Sequence, residues 1–121
     1  MQPGVKRSKE AKEFETEEHC LILEVANDPE DENLSIARVR VTPGITTAWH
    51  KLTGITERYL IVTGQGQVEL DDLKPVDVGV GDVVRIPANT AQRITNTGDT
   101  DLIFYAICSP RFQQSCYVTL E

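Results

Sequence analysis

Short apolar or alternating runs, separated by turn-forming residues about every eight to twelve positions, dominate the sequence. Runs such as LSIARVRV, VVRI and LIFYAIC are rich in β-branched residues, and Gly, Pro, Asn and Asp stand between them. No long segment has the 3.6-residue period of an amphipathic helix. We therefore predict an all-β protein built as a sandwich or small barrel of about ten short antiparallel strands.

The predicted strands cover most of the chain after residue 18, and the only helical option is the segment 8–18. The strands are placed near 19–26, 34–41, 46–52, 57–63, 66–70, 75–78, 83–86, 91–96 and 102–108, with a last short one near 115–120. The run at 102–108 is apolar on both faces, which indicates a strand covered on both sides. One cover is the barrel interior, and the other is a second sheet or a partner subunit.

The chain length of 121 residues predicts one domain. Residues 1–12 are polar and lack apolar periodicity, so we expect a flexible N-terminal tail followed by a single barrel domain over 13–121. The first residues contain no apolar stretch of the signal-peptide kind. The three cysteines form no CxxC pair, and together these features indicate free thiols in the cytoplasm.

The net charge of −7 argues against nucleic-acid binding, which needs a basic surface. The basic residues of the N-terminal segment are interspersed with glutamates up to Glu17 and Glu18, so we interpret that segment as a solvated tail. No apolar run approaches the roughly 18 residues of a membrane-spanning helix. Neither a nucleic acid nor a membrane is therefore expected as a partner.

Two segments place polar residues at the spacing of neighbouring inward-facing strand positions. His50 and Leu52 share one strand face, and Glu57 opens the return strand after a four-residue turn. A closed barrel brings these residues to one cavity with Gln92 of a later strand. That cavity is predicted to have apolar walls and a few polar groups, as small-molecule sites do. The predicted lining is Leu52, Tyr59, Ile61, Ile94 and Cys108.

The same two segments, PGITTAWHKLTGITERYLIVTG at 43–64 and GDVVRIPANTAQRITN at 81–96, resemble the two motifs of the cupin superfamily. The resemblance covers roughly residues 18–110, and the short gap between the motifs is similar to that of small single-domain bacterial cupins. Proteins of this type are often called mannose-6-phosphate isomerase-like. The resemblance implies a double-stranded β-helix, or jelly-roll barrel, and a homodimer.

The cupin motifs supply three histidines and one glutamate as metal ligands. Here only His50 and Glu57 match, while Leu52 and Gln92 stand where the other two histidines belong. The ligand set implied by the resemblance is therefore His50, Glu57 and Gln92, for one divalent transition metal (Fe, Mn, Ni or Zn) or for none. Without a metal, His50 and Glu57 are candidates for a direct hydrogen bond. Cys108 is either a small buried apolar residue or a soft ligand.

Two functions follow from these residues and this resemblance. The first is a cupin-barrel protein that binds a small molecule in its cavity with an incomplete metal-ligand set. The alternative is a metal-dependent cupin enzyme of the sugar-phosphate isomerase, dioxygenase or lyase type. Fold does not fix function, and no residue in the sequence identifies the ligand.

Overall fold

The computed structural model describes residues 1–121 and contains two antiparallel sheets and no α-helix. The all-β fold class predicted from the sequence is confirmed. The eleven strands are β1 (Phe14–Glu15), β2 (Leu21–Ala26), β3 (Ser35–Val41), β4 (His50–Leu52), β5 (Thr56–Thr63), β6 (Gln65–Leu70), β7 (Val76–Gly79), β8 (Val83–Ile86), β9 (Gln92–Asn96), β10 (Leu102–Ser109) and β11 (Tyr117–Thr119).

The two sheets have the crossed connectivity of a jelly roll. One sheet has the order β1-β2-β3-β10-β5-β8, and the other has the order β11-β4-β9-β6-β7. Strand β10 lies at the centre of the first sheet, where it pairs with β3 on one side and β5 on the other. In the second sheet, β4 lies between β9 and β11, so the C-terminal strand borders the strand that carries His50.

The segment 8–18 contains only one 3₁₀ turn, Ser8–Glu10, and no longer helix. The chain is extended at β1, where Phe14 pairs with Ile22 and Glu15 with Leu21, because the edge of β2 offers backbone partners. The strand expected over 46–52 is also shorter, since only His50–Leu52 is regular. Before it, the Ala48 amide donates to the Glu18 carbonyl instead of to a neighbouring strand.

The main core fills the barrel with alternate residues of both sheets, as the two-residue period of strands requires. Phe104 of β10 is fully buried and packs against Tyr59 of β5, with ring centroids 4.3 Å apart and the ring planes tilted by 35°. Asn96 is one of the buried polar residues, and its amide nitrogen donates to the carbonyls of Val41 and Thr100 at 2.8 Å.

No helix in the structure has the length and apolar character needed to cross a bilayer.

Deleting residues 1–12 is expected to lower the melting temperature by no more than a few degrees. Residues 1–10 are exposed, and the ion pair from Lys6 to Asp28, 2.7 Å long, lies in solvent where it is screened. The truncated chain keeps β1, which begins at Phe14. Thermal unfolding of the two chains followed by circular dichroism measures the difference. A fall of more than about 10 °C would show that the segment belongs to the folded unit.

Candidate functional site

One end of the barrel holds a cavity of about 650 Å³. Its walls are inward-facing side chains of β2, β3, β4, β5 and β10, and its rim is formed by the segments 14–18 and 112–121. About half of the residues around it are hydrophobic, 14 of 27. A concave, mostly apolar space with a few polar groups is the ordinary form of a small-molecule site.

His50 is buried on β4 and faces this cavity with one ring nitrogen. Its Nδ1 atom lies 2.9 Å from the Ala48 carbonyl oxygen, which can only accept, so Nδ1 carries a proton and donates. The other nitrogen, Nε2, lies 3.9 Å from the Glu18 carboxylate. Tyr117 of β11 stacks on the imidazole, with centroids 4.9 Å apart and planes 19° apart. The ring is therefore fixed in orientation and in tautomer.

Glu18 reaches the cavity from a tight turn that precedes β2. Its backbone amide donates to the Thr16 hydroxyl at 3.2 Å, and its carbonyl accepts from the Ala48 amide at 2.9 Å. Burial raises the pKa of the Glu18 carboxyl, and the charge of His50 acts in the opposite direction. The turn, and the hydrogen bond from the Ala48 amide just before β4, bring the Glu18 carboxylate beside the imidazole of His50.

Glu57 lies at the start of β5 and is buried. Its Oε2 atom accepts from the Cys108 thiol at 3.7 Å, whereas Oε1 has no hydrogen-bond partner. Burial raises the pKa of Glu57 to about 7, and the neighbouring Gln92 amide acts against that rise. A buried carboxylate oxygen without a hydrogen-bond partner is costly, which is consistent with the raised pKa of Glu57.

Gln92 is fully buried on β9 and pairs in register with His50 of β4. Its side-chain oxygen accepts a short hydrogen bond from the Tyr59 hydroxyl. That bond fixes the amide, so the oxygen is committed to Tyr59 and the nitrogen is turned toward its surroundings near Glu57. Gln92 is not among the residues that line the cavity.

The structure distributes the remaining residues singled out in the sequence between the cavity wall and the core. Leu52, Tyr59 and Cys108 line the cavity. Ile61 and Ile94 lie instead in the closed apolar cluster of the barrel and do not reach the cavity. Burial raises the pKa of the Cys108 thiol, which makes this cysteine a small apolar wall residue with a weak S–H donor.

The direct hydrogen bond considered between His50 and Glu57 does not form. His50 contacts Ala48 and Glu18, and Glu57 contacts Cys108. Strand parity places both side chains on the inner face, but it does not determine which neighbour each one reaches. For His50 that neighbour is Glu18, which is carried by the turn before β2, and the sequence pattern does not predict where this turn lies.

Sequence reasoning missed Glu18, because it stands in a charged segment that has the composition of a solvated tail. The only local signal is its place two residues before Cys20, which is buried beside the start of β2. Tyr117 also lies on the cavity wall. Its stacking on His50 had no signal in the sequence.

The residues present do not fit a resident transition metal. Such a site needs about three protein ligands, and no group of three His, Cys, Asp or Glu side chains is arranged to hold an ion. Leu52 places carbon where the cupin motif has a second imidazole, and the Gln92 oxygen already accepts from Tyr59. The donors at the cupin-motif positions are therefore one imidazole and one carboxylate, which is an incomplete set.

The charges around the cavity are almost all negative. Six glutamates line it, no lysine or arginine does, and His50 is the single residue able to carry a positive charge. Glu18 and Glu57 lie deepest among the glutamates, and the charge of Glu18 contributes to the raised pKa of Glu57. An anionic ligand would therefore meet repulsion from this wall.

Trp49, the only tryptophan, lies on the other side of β4 from the cavity-facing His50. The Arg93 guanidinium lies over the indole ring, 4.9 Å from its centroid. The backbone amide of Trp49 donates to the Glu121 side chain at 2.7 Å, and its carbonyl accepts from the Leu120 amide at 2.9 Å. Trp49 thus joins β4 to the C-terminal segment.

Comparison with known proteins gives one family and one related sequence. A family model described as a cupin domain matches residues 37–108, which is more than half of the chain. The oxalate-binding protein of Thermotoga maritima is 39% identical over 71 residues, which are 59% of this chain and 58% of that protein. The matched part is thus less than two thirds of the relative's length.

Solved structures with the same fold cover nearly the whole chain. A predicted oxalate decarboxylase from Thermotoga maritima is 26% identical, with a TM-score of 0.78, and the match covers 88% of this chain and 99% of that one. The nucleoside dehydratase Pac13 of Streptomyces is 18% identical, with a TM-score of 0.83, over 99% of this chain and 92% of that one. At that identity the second likeness concerns the fold alone.

Proposed function

Because the chain belongs to the cupin domain family, we propose that it binds a small organic molecule in the cavity at the end of its barrel. The observation that carries this proposal is the cavity of about 650 Å³ itself, whose wall includes the buried carboxyl group of Glu57. A ligand that hydrogen-bonds the exposed part of the Glu57 carboxyl group would offset the cost of burying it. Glu18 and His50 line the same cavity and offer further polar contacts, and Tyr117 offers an aromatic face.

Binding at this site needs no metal ion, since the polar contacts are protein side chains. The second candidate is a metal-dependent cupin enzyme, and the oxalate-related relatives are the observation in its favour. Metal analysis of protein expressed with added Fe, Mn, Ni or Zn separates the two candidates. A content near one ion per chain that survives dialysis favours the enzyme, and a content far below one favours the binder.

A variant that narrows the cavity tests its role as the binding site. Ala37 of β3 lines the cavity, so Ala37→Leu places extra volume inside it, whereas Ala88→Leu adds the same volume outside it. A thermal-shift screen of small metabolites with chelator present identifies ligands of the parent protein. We expect ligands to lose at least about tenfold in affinity in Ala37→Leu and to be unaffected in Ala88→Leu. Equal binding to all three proteins would place the site elsewhere.

Leu52→His is expected to increase divalent metal affinity at least about tenfold, equivalent to about 1.4 kcal/mol. Leu52 is buried on the same face of β4 as His50, so the substitution would give two imidazoles and one carboxylate. Lys51→His is the matched control because residue 51 faces the opposite side of the strand. Titration with zinc measures both variants. A similar gain in both would mean that the added imidazole acts on the surface and not at this site.

We propose a homodimer formed through the outer face of the β10 sheet. Ile103, Tyr105 and Ile107 point outward there and are only half-buried within one chain. Tyr105→Glu is expected to convert the dimer to a monomer, because it replaces the central aromatic ring of that face by a charged side chain. Val80→Glu, at an exposed turn, is expected to leave the dimer intact. Light scattering after size exclusion measures the mass, and a monomeric parent protein would refute the proposal.

We also propose a cytoplasmic location. The support is the three cysteines, which are all unpaired, as expected of a protein in a reducing compartment. Labelling of the thiols in freshly lysed cells measures their state. Blocked thiols would contradict this location.

A further inference from the structure

We infer that the ligand of this cavity is an organic cation, a protonated amine seated between Glu57, Glu18 and His50. This inference rests on the proposed function, because it assigns a chemical class to the ligand of that same site. It also separates this chain from its oxalate-binding relative, whose named ligand is a dianion.

The first argument is the direction of the hydrogen bonds that the wall offers. Glu57 lines the cavity, and the oxygens of a carboxylate only accept hydrogen bonds. Glu18 is a second carboxylate. Because His50 donates through Nδ1 to Ala48, the neutral imidazole presents Nε2 as an acceptor. An ammonium group has three donors and no acceptor, so it matches these three groups.

The second argument is the balance of charge. Six glutamates and neither lysine nor arginine line the cavity, so nothing but His50 is able to neutralise an anionic ligand. Even when His50 is protonated and pairs with Glu18 at 3.9 Å, Glu57 keeps an unpartnered oxygen. A carboxylate ligand would therefore bring a further negative charge beside a buried carboxyl group, which is unfavourable.

The third argument is the aromatic content of the walls. Phe14, Tyr59, Phe104, Phe112 and Tyr117 line the cavity together with the carboxylates. Aromatic faces attract cations, and sites for substituted ammonium groups combine such faces with acidic side chains. Tyr117 is held against His50 by stacking, so its ring is a fixed part of this wall.

The test is a series of matched ligands that differ only in charge. Propylamine, cyclohexylmethylamine and benzylamine are each compared with the alcohol and the carboxylic acid built on the same carbon frame. Calorimetric titration at pH 7.5 with chelator present measures affinity, and oxalate is included as the anion of the relative. We expect at least one amine to bind about tenfold or more tightly than both its alcohol and its carboxylate partner.

Three variants locate the charge that is responsible. Glu57→Gln and Glu18→Gln keep side-chain shape and remove one charge each inside the cavity, while Glu30→Gln removes one charge at an exposed position outside it. We expect the amine affinity to fall about tenfold in each of the first two variants and less than about twofold in the third. Circular dichroism of each variant checks that the fold is retained.

The possible failures are distinguishable. If an alcohol or a carboxylate, oxalate included, binds as tightly as the matched amine and is weakened by Ala37→Leu, the cavity is a binding site but the inference of a cation is overturned. If amines bind equally well to Glu57→Gln, Glu18→Gln and Glu30→Gln, the inference is likewise overturned. If no member of the series binds at millimolar concentration, both the inference and the support it gives to the proposed function are lost.

Discussion

Replacement of Glu57 by glutamine is expected to stabilise the protein by about 2 to 3 kcal/mol at pH 8 and to leave its stability at pH 4.5 nearly unchanged. Burial raises the pKa of this carboxyl to about 7 in the folded protein, whereas in the unfolded chain it has the ordinary value of 4.5. The folded state therefore holds a proton that the unfolded chain has released. The contribution of this proton to the stability of the parent protein is complete below pH 4.5 and is lost as the pH rises through 7.

Unfolding free energies from urea titrations between pH 4.5 and 8 measure this effect. The parent protein should lose stability across that range, and Glu18, whose pKa burial also raises, contributes in the same direction. Glu57→Gln should show a shallower loss, and Glu30→Gln, a change at an exposed residue, should follow the parent curve. Parallel curves for the parent and Glu57→Gln would show that Glu57 is already ionised and paired in the folded protein at acidic pH.

The second large effect is expected at Gly64, in the tight connection between β5 and β6. Gly64→Ala should cost about 3 kcal/mol of unfolding free energy. The residue has a positive φ of 81°, and a Cβ atom there would lie 2.6 Å from the Asp101 carbonyl oxygen. That oxygen is backbone next to the start of β10, so it cannot swing aside as a flexible side chain does.

Two glycine controls separate the backbone strain from the steric clash. Gly54 also has a positive φ, 73°, but its surroundings are open, so Gly54→Ala should cost only about 1 kcal/mol. Gly79 has open surroundings and no positive φ, so Gly79→Ala should change stability by less than about 0.5 kcal/mol. Urea titrations of the three variants give the ranking. Equal losses of unfolding free energy at Gly64 and Gly54 would mean that the connection at Gly64 moves to accommodate a methyl group.

The strands were predictable because their signal is local. Alternation in β5 and β10, with turn residues on either side, specifies which residues face inward, and Glu57, Tyr59 and Cys108 are placed on the inner face by that rule alone. The two-residue spacing of His50 and Leu52 works in the same way. The helix considered for 8–18 was wrong, because pairing of Phe14 with Ile22 outweighs a weak local preference.

The partners of the polar groups were not predictable from one sequence. Whether His50 reaches Glu57 or Glu18 depends on a turn held by the bond from Ala48 to the Glu18 carbonyl. Likewise, parity places both Tyr59 and Ile61 inside the barrel, but only the depth of the cavity determines that Tyr59 lines it and Ile61 does not. The depth of the cavity depends on how the two sheets pack against each other, and no local sequence pattern determines that packing.

The position of Trp49 gives this protein a built-in optical probe. The indole is the only tryptophan fluorophore, and its residue follows Ala48, whose amide donates to the Glu18 carbonyl. The Trp49 amide and carbonyl are both hydrogen-bonded to residues 120–121. The neighbouring residue, His50, faces the cavity, and the Arg93 guanidinium lies over the indole. Emission from this single residue therefore reports on the strand that carries the imidazole, without any added label.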